Sequence, residues 1–524
     1  MLSYRLYNAM LAGFLAVGFA GGQGRSGMSP NTQGALVLTA KPRGATAKPL
    51  VPEQAAEFDV LLRNQSNAPL TVNSLDNRFT PVIHLFDSQG RPLGHYTSAD
   101  RRDRIIGDLG PKTAESTRTI TLAPGDEKTT WVNVWSHTDP FPPGAYWFEA
   151  SHQAQDAESL VSSRLPFQIV AARVDDSALG YDKNIRANTV LAWLATPAGG
   201  SAARLLIRLS GFTSHAVVQL GATLHGEFPS NSRVAVSATP PDGPLPAVGW
   251  VAVVSGDRLQ LIQHNMSTPM WRAPAVTLPA TGAIPVPRFP NRRHAVFLAT
   301  GAGPKGPVLI GVKAANGNTA LLPWSVGLSH IPVHSASAFM MEGAITLLLA
   351  ADDGRTSRLI RLDVSEDGTV TAPERVVHES PNEVLAVVTD SRGGEPLSFV
   401  VLESDRTNHN QLAFIKIPLS GQLKATELRT IDGWPTVEVK GELRPARAQS
   451  LLLETDNQGM PWVTLTNERG DLLGGRMDGA LSLLREGRIA HAVFPHIGAV
   501  ARGVTISCFN PDGTLFHSGG ADGH

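Results

Sequence analysis

Short apolar runs alternate with polar turns along almost the whole chain, and after residue 187 they recur at a regular spacing. Each run ends in a small or acidic residue and is followed by a turn and a second apolar run. The anchoring runs are residues 296–299, 347–350, 400–403 and 451–454. They lie roughly 50 residues apart, a period typical of propellers, solenoids and other repeat arrays. The pattern predicts a repeat architecture without indicating what the protein binds or acts on.

The repeated units are predicted to be small antiparallel sheets. Each contains three or four runs of strand length, bounded by turns such as those at 352–354 and 366–368. Four-stranded sheets with such turns are typical of β-propeller blades. We predict seven blades over residues 175–524, with six as the alternative, and the segment near 180–195 is expected to complete the short last unit and close the ring. The predicted units are 188–226, 233–279, 284–329, 332–380, 383–431, 444–487 and 488–519.

The first third of the chain has the pattern of an antiparallel β-sandwich. Phe58, Val60 and Leu62 alternate with residues that face the other way, as expected of a strand with one buried face. Strands are predicted between residues 35 and 174 at 35–40, 57–63, 81–86, 116–122, 130–135, 145–150 and 165–172. The predicted fold class is therefore all-β, with a sandwich followed by a propeller.

Three motifs in this region carry a family resemblance. They are the strand at 58–64, the Leu-Ala-Pro-Gly-Asp turn at 122–126 and the Pro-Pro-Gly-Ala-Tyr sequence at 142–146. With these motifs the region resembles the bacterial immunoglobulin-like domains of exported proteins, including those similar to the intracellular proteinase inhibitor family. The resemblance implies an immunoglobulin-like sandwich with an adhesive or spacer role, and it implies no catalytic residues.

Residues 1–20 have the features of a secretory signal peptide. Arg5 supplies the positive charge, residues 9–20 are uncharged and apolar, and Gly18 and Ala20 put small residues where signal peptidase cleaves. The apolar run is shorter than the roughly 20 residues needed to span a bilayer. Residues 21–34 are predicted to be a flexible linker. We expect a secreted or periplasmic protein with no membrane span after cleavage, an uncleaved N-terminal anchor being the alternative.

The charge balance and the cysteine content limit the function further. Lys and Arg total 45 against 46 for Asp and Glu, so no net field steers the protein toward nucleic acid. Cys508 is the only cysteine, which excludes a disulfide within the chain. Stability must then come from buried apolar cores, to which Trp135, Trp193, Trp250, Trp324 and Trp462 are predicted to contribute.

One loop has the residue spacing of an EF-hand-type calcium site. Asp363, Ser365 and Asp367 occupy alternate positions, Gly368 follows, and Glu374 completes the pattern. The flanking segments have the pattern of strands, and residues 365–368 are also suited to a hairpin turn. We therefore favour an ordinary hairpin, with calcium as the alternative, and no other cofactor is indicated.

A second candidate site is a polar ring in the propeller channel. The first strand of each blade lines the channel of a propeller, and several His and Arg residues are predicted near the starts of these strands. Such a ring would suit an acidic ligand such as a uronate, although ordinary loop polarity is the simpler interpretation. Its members are Arg292, Arg293, His294, His334, Arg444, Arg447 and His491.

Recognisable catalytic motifs are missing from the sequence. It has no Gly-x-Ser-x-Gly elbow, no His-Glu-x-x-His helix and no phosphate-binding loop. We therefore predict a secreted, non-catalytic binding or scaffold protein whose propeller presents loops or its channel to a protein or glycan partner. The alternative is an extracellular polysaccharide lyase or hydrolase with its site at the channel mouth. An enzyme should bring a His/Arg/carboxylate set together in one pocket, whereas a scaffold should expose an apolar or aromatic patch.

Overall fold

The chain is all-β. Its secondary structure in the described residues consists of 41 strands and two short 3₁₀ turns, Gly44–Ala47 and Val134–Ser136. The predicted signal peptide and linker, residues 1–20 and 21–34, lie outside the described residues. The computed structural model describes residues 35–75, 81–96, 119–136, 138, 140–155, 158–181, 189–212, 217–219, 221–239, 248–265, 271–272, 274–286, 296–314, 321–330, 333–341, 344–392, 395–404, 406, 412–418, 426–431, 436–439, 442–445, 448–455, 461–467, 471–476, 482–485, 491–497 and 504–518.

The N-terminal region is built from ten strands, and each of the seven predicted strands overlaps one of them. The strands are β1 (Leu36–Pro42), β2 (Glu57–Asn64), β3 (Leu70–Asn73), β4 (Val82–Asp87), β5 (Pro92–Tyr96), β6 (Thr119–Leu122), β7 (Glu127–Asn133), β8 (Gly144–Gln155), β9 (Glu158–Val161) and β10 (Leu165–Ile169). One sheet has the order β1-β2-β7 and a second has the order β10-β8-β4-β5, with β9 also paired to β8. Strands β3 and β6 form a separate pair.

The two larger sheets enclose one apolar core. Phe58, Val60 and Leu62 of β2 are fully buried, which confirms the alternation seen in the sequence. The ring of Phe58 stacks on that of Phe148 with 4.0 Å between centroids, and Phe167 packs edge-on against Phe58. This contact joins the two sheets, because Phe58 belongs to the first and the other two rings to the second.

Asn64 ties the end of the strand at 58–64 to the Leu-Ala-Pro-Gly-Asp turn at 122–126. Its side-chain amide donates to the carbonyls of Ala68 and Leu122, both at 2.9 Å, and its carbonyl oxygen accepts from the Ser66 amide. The Gly125 amide donates to the Asn64 carbonyl, where Gly125 adopts a positive φ of 82°. Asn64 is fully buried, so these bonds satisfy the polar groups of a residue that has no access to water.

Seven consecutive antiparallel sheets follow in the described residues. The first two sheets have five strands each: sheet 1 contains β11 (Ala172–Tyr181), β12 (Thr189–Pro197), β13 (Ala202–Phe212), β14 (Val217–Gln219) and β15 (Thr223–Pro229), and sheet 2 contains β16 (Arg233–Thr239), β17 (Val248–Ser255), β18 (Arg258–Asn265), β19 (Trp271–Arg272) and β20 (Val276–Thr277). The next three sheets have four strands each: sheet 3 contains β21 (Thr281–Pro285), β22 (Val296–Gly303), β23 (Gly306–Ala314) and β24 (Leu321–Gly327); sheet 4 contains β25 (Val333–Met341), β26 (Ala344–Asp352), β27 (Ser357–Ser365) and β28 (Val370–Ser380); and sheet 5 contains β29 (Glu383–Arg392), β30 (Glu395–Ser404), β31 (Leu412–Pro418) and β32 (Thr426–Ile431). Sheet 6 contains β35 (Ala448–Thr455), β36 (Pro461–Asn467), β37 (Leu472–Arg476) and β38 (Ser482–Arg485), and sheet 7 contains β39 (His491–Ile497), β40 (Val504–Phe509) and β41 (Leu515–Ser518). A hairpin of β33 (Thr436–Val439) and β34 (Glu442–Pro445) separates sheets 5 and 6.

The first strands of most neighbouring sheets lie side by side. Strand β11 contacts β16, β16 contacts β21, β25 contacts β29, β29 contacts β35, and β35 contacts β39. Sheets 3 and 4 share a core in which Leu298 and Leu309 pack with Leu347 and Leu349. Strand β39 then contacts β11, so the last sheet meets the first. This arrangement of meandering sheets is that of a β-propeller.

The apolar anchoring runs are explained by packing on both faces of a sheet. In β26, Leu347 and Leu349 face the core shared with sheet 3, while Leu348 and Ala350 face the core shared with sheet 5. Every residue from 345 to 350 is therefore buried, and the strand is a continuous apolar run instead of an alternating one. Three of the four anchors occupy second strands, namely β22, β26 and β30.

The fourth anchor does not follow this rule. Residues 451–454 lie in β35, which is the first strand of sheet 6, because the β33–β34 hairpin adds residues between sheets 5 and 6. The sequence period was therefore interrupted at this point. The predicted boundary at residue 174 also falls inside a strand, since β11 begins at Ala172 and pairs with β12 along its length.

Residues 49–55, which we call the junction segment, connect the sandwich to sheet 1. Leu50 forms a parallel bridge with Ile169, and Gln54 forms one with Ala222. The Ala222 amide donates to the Glu53 carbonyl at 2.7 Å, and the Ala55 amide donates to the Ala222 carbonyl at 2.8 Å. The junction segment therefore continues the backbone hydrogen bonding of the sandwich and of sheet 1.

Candidate functional site

The structure describes only part of the predicted channel ring. His334 is the second residue of β25 and His491 is the first of β39, so both belong to first strands. Arg444 lies instead in β34, because an additional hairpin precedes sheet 6. Arg292, Arg293, His294 and Arg447 lie outside the described residues. The ring as a whole therefore stays a prediction.

The calcium-like loop is a β-hairpin between β27 and β28. The Ser365 amide donates to the Thr369 carbonyl at 2.8 Å and the Gly368 amide to the Ser365 carbonyl at 3.0 Å, which close the turn. Within the turn, the Ser365 hydroxyl donates to Asp367. This is the hairpin favoured from the sequence.

The other two predicted calcium ligands bond elsewhere. Asp363 accepts from the Thr346 hydroxyl at 2.6 Å and from the Arg361 guanidinium at 3.1 Å. Glu374 accepts from the Ser329 amide at 3.0 Å. Across the described parts of the chain, no three His, Cys, Asp or Glu side chains converge as a metal site would require. The structure therefore does not bring Asp363, Asp367 and Glu374 together.

A polar cluster that the sequence analysis did not identify lies where sheets 4 and 5 meet. Its centre is Glu403, the acidic residue at the end of an anchoring run, which is only 1% exposed. The Ser380 hydroxyl donates to its Oε2 at 2.7 Å, and Nε2 of His378 lies 3.0 Å from its Oε1. Asn382 donates to the same carboxylate at 3.4 Å. Three donors therefore compensate the burial of this charge.

Arg406 makes a second set of contacts at the same end of these sheets. Its guanidinium donates to Asp352 at 2.6 Å, to the Ser357 hydroxyl at 2.9 Å and to the Pro381 carbonyl at 2.7 Å. Burial favours the neutral acid at Asp352, but hydrogen bonds from Arg406, Ser357 and the Gly354 amide lower its pKa to about 2. Asp352 is thus a permanent anion that joins the β26–β27 turn to the segment after β30.

The chemistry of this cluster resembles that of a structural network more than that of a catalytic site. A general acid or base needs a pKa near the working pH, whereas the pKa of Asp352 lies far below it. Ser380 and His378 both bond to Glu403, which differs from a nucleophile–base–carboxylate relay, where the histidine stands between the other two. The acidic residue within an apolar strand was the sequence signal for this cluster.

The most exposed large apolar side chain among the described residues is Trp131, on the outer face of the sandwich. It is 55% exposed and lies in β7, where the neighbouring Val132 faces the core. The Arg43 guanidinium lies over the indole, 5.7 Å from the ring centroid. The sequence already indicated that Trp131 is exposed. It lies one position out of step with the buried Val132 and Val134, so strand alternation places it on the opposite face of the sheet.

Five other tryptophans were predicted as core residues, and the structure confirms only part of this. Trp135 and Trp193 are fully buried. Trp250 and Trp324 are only partly buried, because each lies at the margin of a shared core. Trp462 lies in β36, and its side chain is outside the described part of the structure.

A shallow cleft of about 410 Å³ lies beside the junction segment. Pro49, Gly199, Gly200 and Arg204 are among its lining residues. The Arg204 guanidinium donates to the Pro49 carbonyl at 2.6 Å, which ties the two walls together. The cleft is therefore a feature of the domain contact.

Comparisons with known proteins give weak similarities of architecture. No family model matches the chain, and no curated protein matches it. Among solved structures, a fungal lectin from Aleuria aurantia with a six-bladed β-propeller is similar over 60% of this chain and 96% of its own, at 10% identity and a TM-score of 0.37. BBS1N in complex with ARL6DN is similar over 68% and 94%, at 9% identity and a TM-score of 0.36. An oligogalacturonate lyase in complex with manganese is similar over 66% and 88%, at 9% identity and a TM-score of 0.40.

The class of protein follows from the sheet order. The neighbours above are propellers with different activities, so their similarity assigns no function to this chain. What the described residues define is an all-β protein with β-propeller architecture and an N-terminal region of packed sheets. Nowhere in the described ranges is there a helix of sufficient length and apolar character to cross a membrane.

Proposed function

We propose that this chain is an exported, non-catalytic binding or scaffold protein. In this proposal the seven sheets are the blades of one closed propeller, and the immunoglobulin-like sandwich is a docking domain held on its rim. The observation that carries the proposal is the exposed indole of Trp131. Aromatic side chains, tryptophan above all, are enriched among the residues that contribute most to binding energy at interfaces.

The attachment of the sandwich supports this role. Glu53 of the junction segment pairs with Arg208 of sheet 1, and their side chains are only 7% and 2% exposed. The Trp135 indole of the sandwich donates to the Gln54 carbonyl at 2.6 Å. Such buried polar contacts fix the sandwich relative to sheet 1, so that its outer face is presented in a defined direction.

The test is capture of partners from the native envelope or medium with the purified chain, followed by mass spectrometry and a glycan array. We expect one stoichiometric protein or one glycan class to be retained by the wild-type chain. Trp131→Ala should reduce this retention, whereas Val161→Ala, a matched change at a 54% exposed apolar residue in β9, should not. Equal retention by both variants and wild type would locate binding elsewhere, and no retention at all would contradict the proposal.

A second candidate function is an extracellular polysaccharide lyase or hydrolase. The observation that favours it is the set of His378, Glu403, Asp352 and Arg406 at one end of sheets 4 and 5. The test is an assay on acidic and neutral polysaccharides with wild-type protein and Glu403→Gln, whose thermal unfolding is measured in parallel. Activity that is lost in a folded Glu403→Gln protein would establish this alternative.

A further inference from the structure

The outer face of the first sandwich sheet places Trp131 in a row with two charged residues. In the sheet register, Asp59 of β2 lies opposite Trp131 of β7, and Lys41 of β1 lies opposite Asp59. Arg43, just beyond β1, donates to Asp59 at 3.0 Å while its guanidinium lies over the indole. We call this set of four residues, Trp131, Asp59, Lys41 and Arg43, the Trp131 face.

The residues that border this row are mostly polar. Asn133 and Glu57 are paired on one side of the row, and Thr129 is paired with the partly exposed Leu61 on the other. Thr129 is exposed, and Asn133 is partly exposed. The indole is therefore bordered chiefly by hydrogen-bonding groups, with Leu61 as the apolar neighbour in the adjoining row.

This composition favours a sugar over a protein as the ligand. Charged residues are depleted at the centres of protein interfaces, and about 800 Å² per partner must be covered by closely packed groups. Here the charges immediately surround the one aromatic ring. A pyranose ring has the complementary form, because its C–H face can stack on an indole while its hydroxyl edge reaches the amide, carboxylate and guanidinium groups beside it.

The accessible charge of the face is positive. Lys41 and Arg43 are 61% and 49% exposed, whereas Asp59 is 17% exposed and is already paired with Arg43. Glu57, in the next row, is also partly buried, and burial raises its pKa although Arg43 lowers it. The two cations therefore project further into solvent than the two carboxylates, and a ligand that approaches the indole meets Lys41 and Arg43 first.

We propose that the Trp131 face binds a uronate residue of an acidic polysaccharide. The sugar ring stacks on Trp131, and its carboxylate pairs with Lys41 and with the guanidinium of Arg43. This inference rests on the proposed binding function and names its surface and ligand class.

The test compares uronic-acid tetrasaccharides with their carboxyl-reduced, uncharged counterparts by titration calorimetry on the full purified chain. Wild-type protein should bind the acidic sugars at least tenfold more tightly than the reduced ones. Trp131→Ala should weaken binding of the acidic sugars at least tenfold, Trp131→Phe should recover part of the loss, and Val161→Ala should bind as wild type does. Lys41→Gln should weaken the binding of the acidic sugars only. Added salt should also weaken this binding, because it screens the attraction between the sugar carboxylate and Lys41.

Each contrary result has a distinct meaning. Equal binding of acidic and reduced sugars by wild-type protein would overturn the assignment of a uronate. Acidic-sugar binding that survives in Trp131→Ala would overturn the assignment to this face, while leaving the proposed binding function intact. If the wild-type chain binds none of these sugars but retains a protein partner that Trp131→Ala still retains, the inference fails and the proposed function stands. A chain that retains neither sugar nor protein contradicts both.

Discussion

The carboxylate of Glu53 accepts a hydrogen bond from the guanidinium of Arg208 at 3.4 Å, in a contact from which water is almost wholly excluded. Glu53 belongs to the junction segment and Arg208 to β13, so the pair joins the junction segment to sheet 1. The other oxygen of Glu53 lies 3.3 Å from the Leu515 amide of sheet 7. Glu53 has a positive φ of 67°, which a residue with a side chain adopts only where its surroundings require it.

Arg208→Met should strongly destabilise the protein. The substitution fills the space but leaves the Glu53 carboxylate buried without its cation, a change that typically costs about 3–5 kcal/mol. The free energy of unfolding is measured by denaturant titration. Arg204→Met is the matched control, because Arg204 also reaches the junction segment but is 12% exposed and pairs with an exposed Glu227. If both variants lose the same stability, the buried pair does not hold the domains together.

Trp324 and Gly368 should show strong coupling in a double-mutant cycle. The Trp324 indole donates to the Glu366 carbonyl at 2.9 Å and lies against Gly368, where a Cβ would sit 2.6 Å from the ring. Gly368→Ala should cost about 1–3 kcal/mol from overpacking and from its φ of 88°. In a Trp324→Ala background only the backbone part, about 1 kcal/mol, should remain. Additive losses in denaturant unfolding would contradict the packing described.

Asn64→Ala should destabilise the sandwich by about 1–3 kcal/mol, because it removes the donor to the carbonyl of the buried Leu122 as well as the bond to the Ala68 carbonyl. Asn64→Asp should be nearly as harmful, since a carboxylate cannot donate to either carbonyl. The exposed neighbour Gln65 provides the control, and Gln65→Ala should change the unfolding midpoint little. An Asp variant as stable as wild type would show that the two donated bonds are not what fixes these turns.

Lowering the pH should remove the stabilisation that the ionised Asp352 gives to the folded protein. Its pKa in the folded protein is about 2, against an ordinary value of 3.8, so the folded state favours the ionised form. That stability is fully present above the unfolded pKa and is lost as the pH falls from about 4 to 2, by up to about 2 kcal/mol. Asp352→Asn should lower stability at pH 7 and flatten the loss between these pH values. A variant with the same acid dependence as wild type would contradict this account.

Asp176 should have the opposite effect on the pH dependence of the free energy of unfolding. Burial raises its pKa, although the Val234 amide donates to it at 2.8 Å and Arg233 lies nearby. A raised folded pKa means that the stability is present below the unfolded value and falls as the pH rises through the folded value. Asp176→Asn keeps the acceptor without the charge and should raise the free energy of unfolding at pH 7. The gain should vanish below about pH 4. Asp176→Ala is the control, and it should destabilise at every pH because Val234 loses its acceptor.

The sequence predicted the strands well, since their pattern reflects burial that is local in the chain. The alternation of Phe58, Val60 and Leu62 marked one buried face, and the continuous run at 347–350 marked a strand between two cores. The strands β3, β5 and β9 were missed because they are only four or five residues long and sit at sheet margins. The β33–β34 hairpin was missed because it interrupts the repeat without changing the type of element.

The candidate sites were harder to predict, because they depend on residues far apart in the sequence that meet only when separate sheets and segments pack together. Nothing in the sequence around Glu53 indicates that it will meet Arg208, 155 positions away. The cluster around Glu403 joins β28, β30 and the loops beside them, and only the acidic end of an apolar run pointed to it. The calcium pattern, by contrast, was a match of spacing alone, and the strand geometry directs Asp363 and Glu374 to other partners.

The contact between Glu53 and the Leu515 amide spans 462 positions of the chain. At translation rates of about 5–20 residues per second, an interval of roughly half a minute or more separates the synthesis of these two residues. During that time the first sheets exist with their faces uncovered, since sheet 1 packs against sheet 7 through Trp193 and Phe509. Sheet 1 therefore keeps an apolar face open to aggregation until the last strands of the chain have been made.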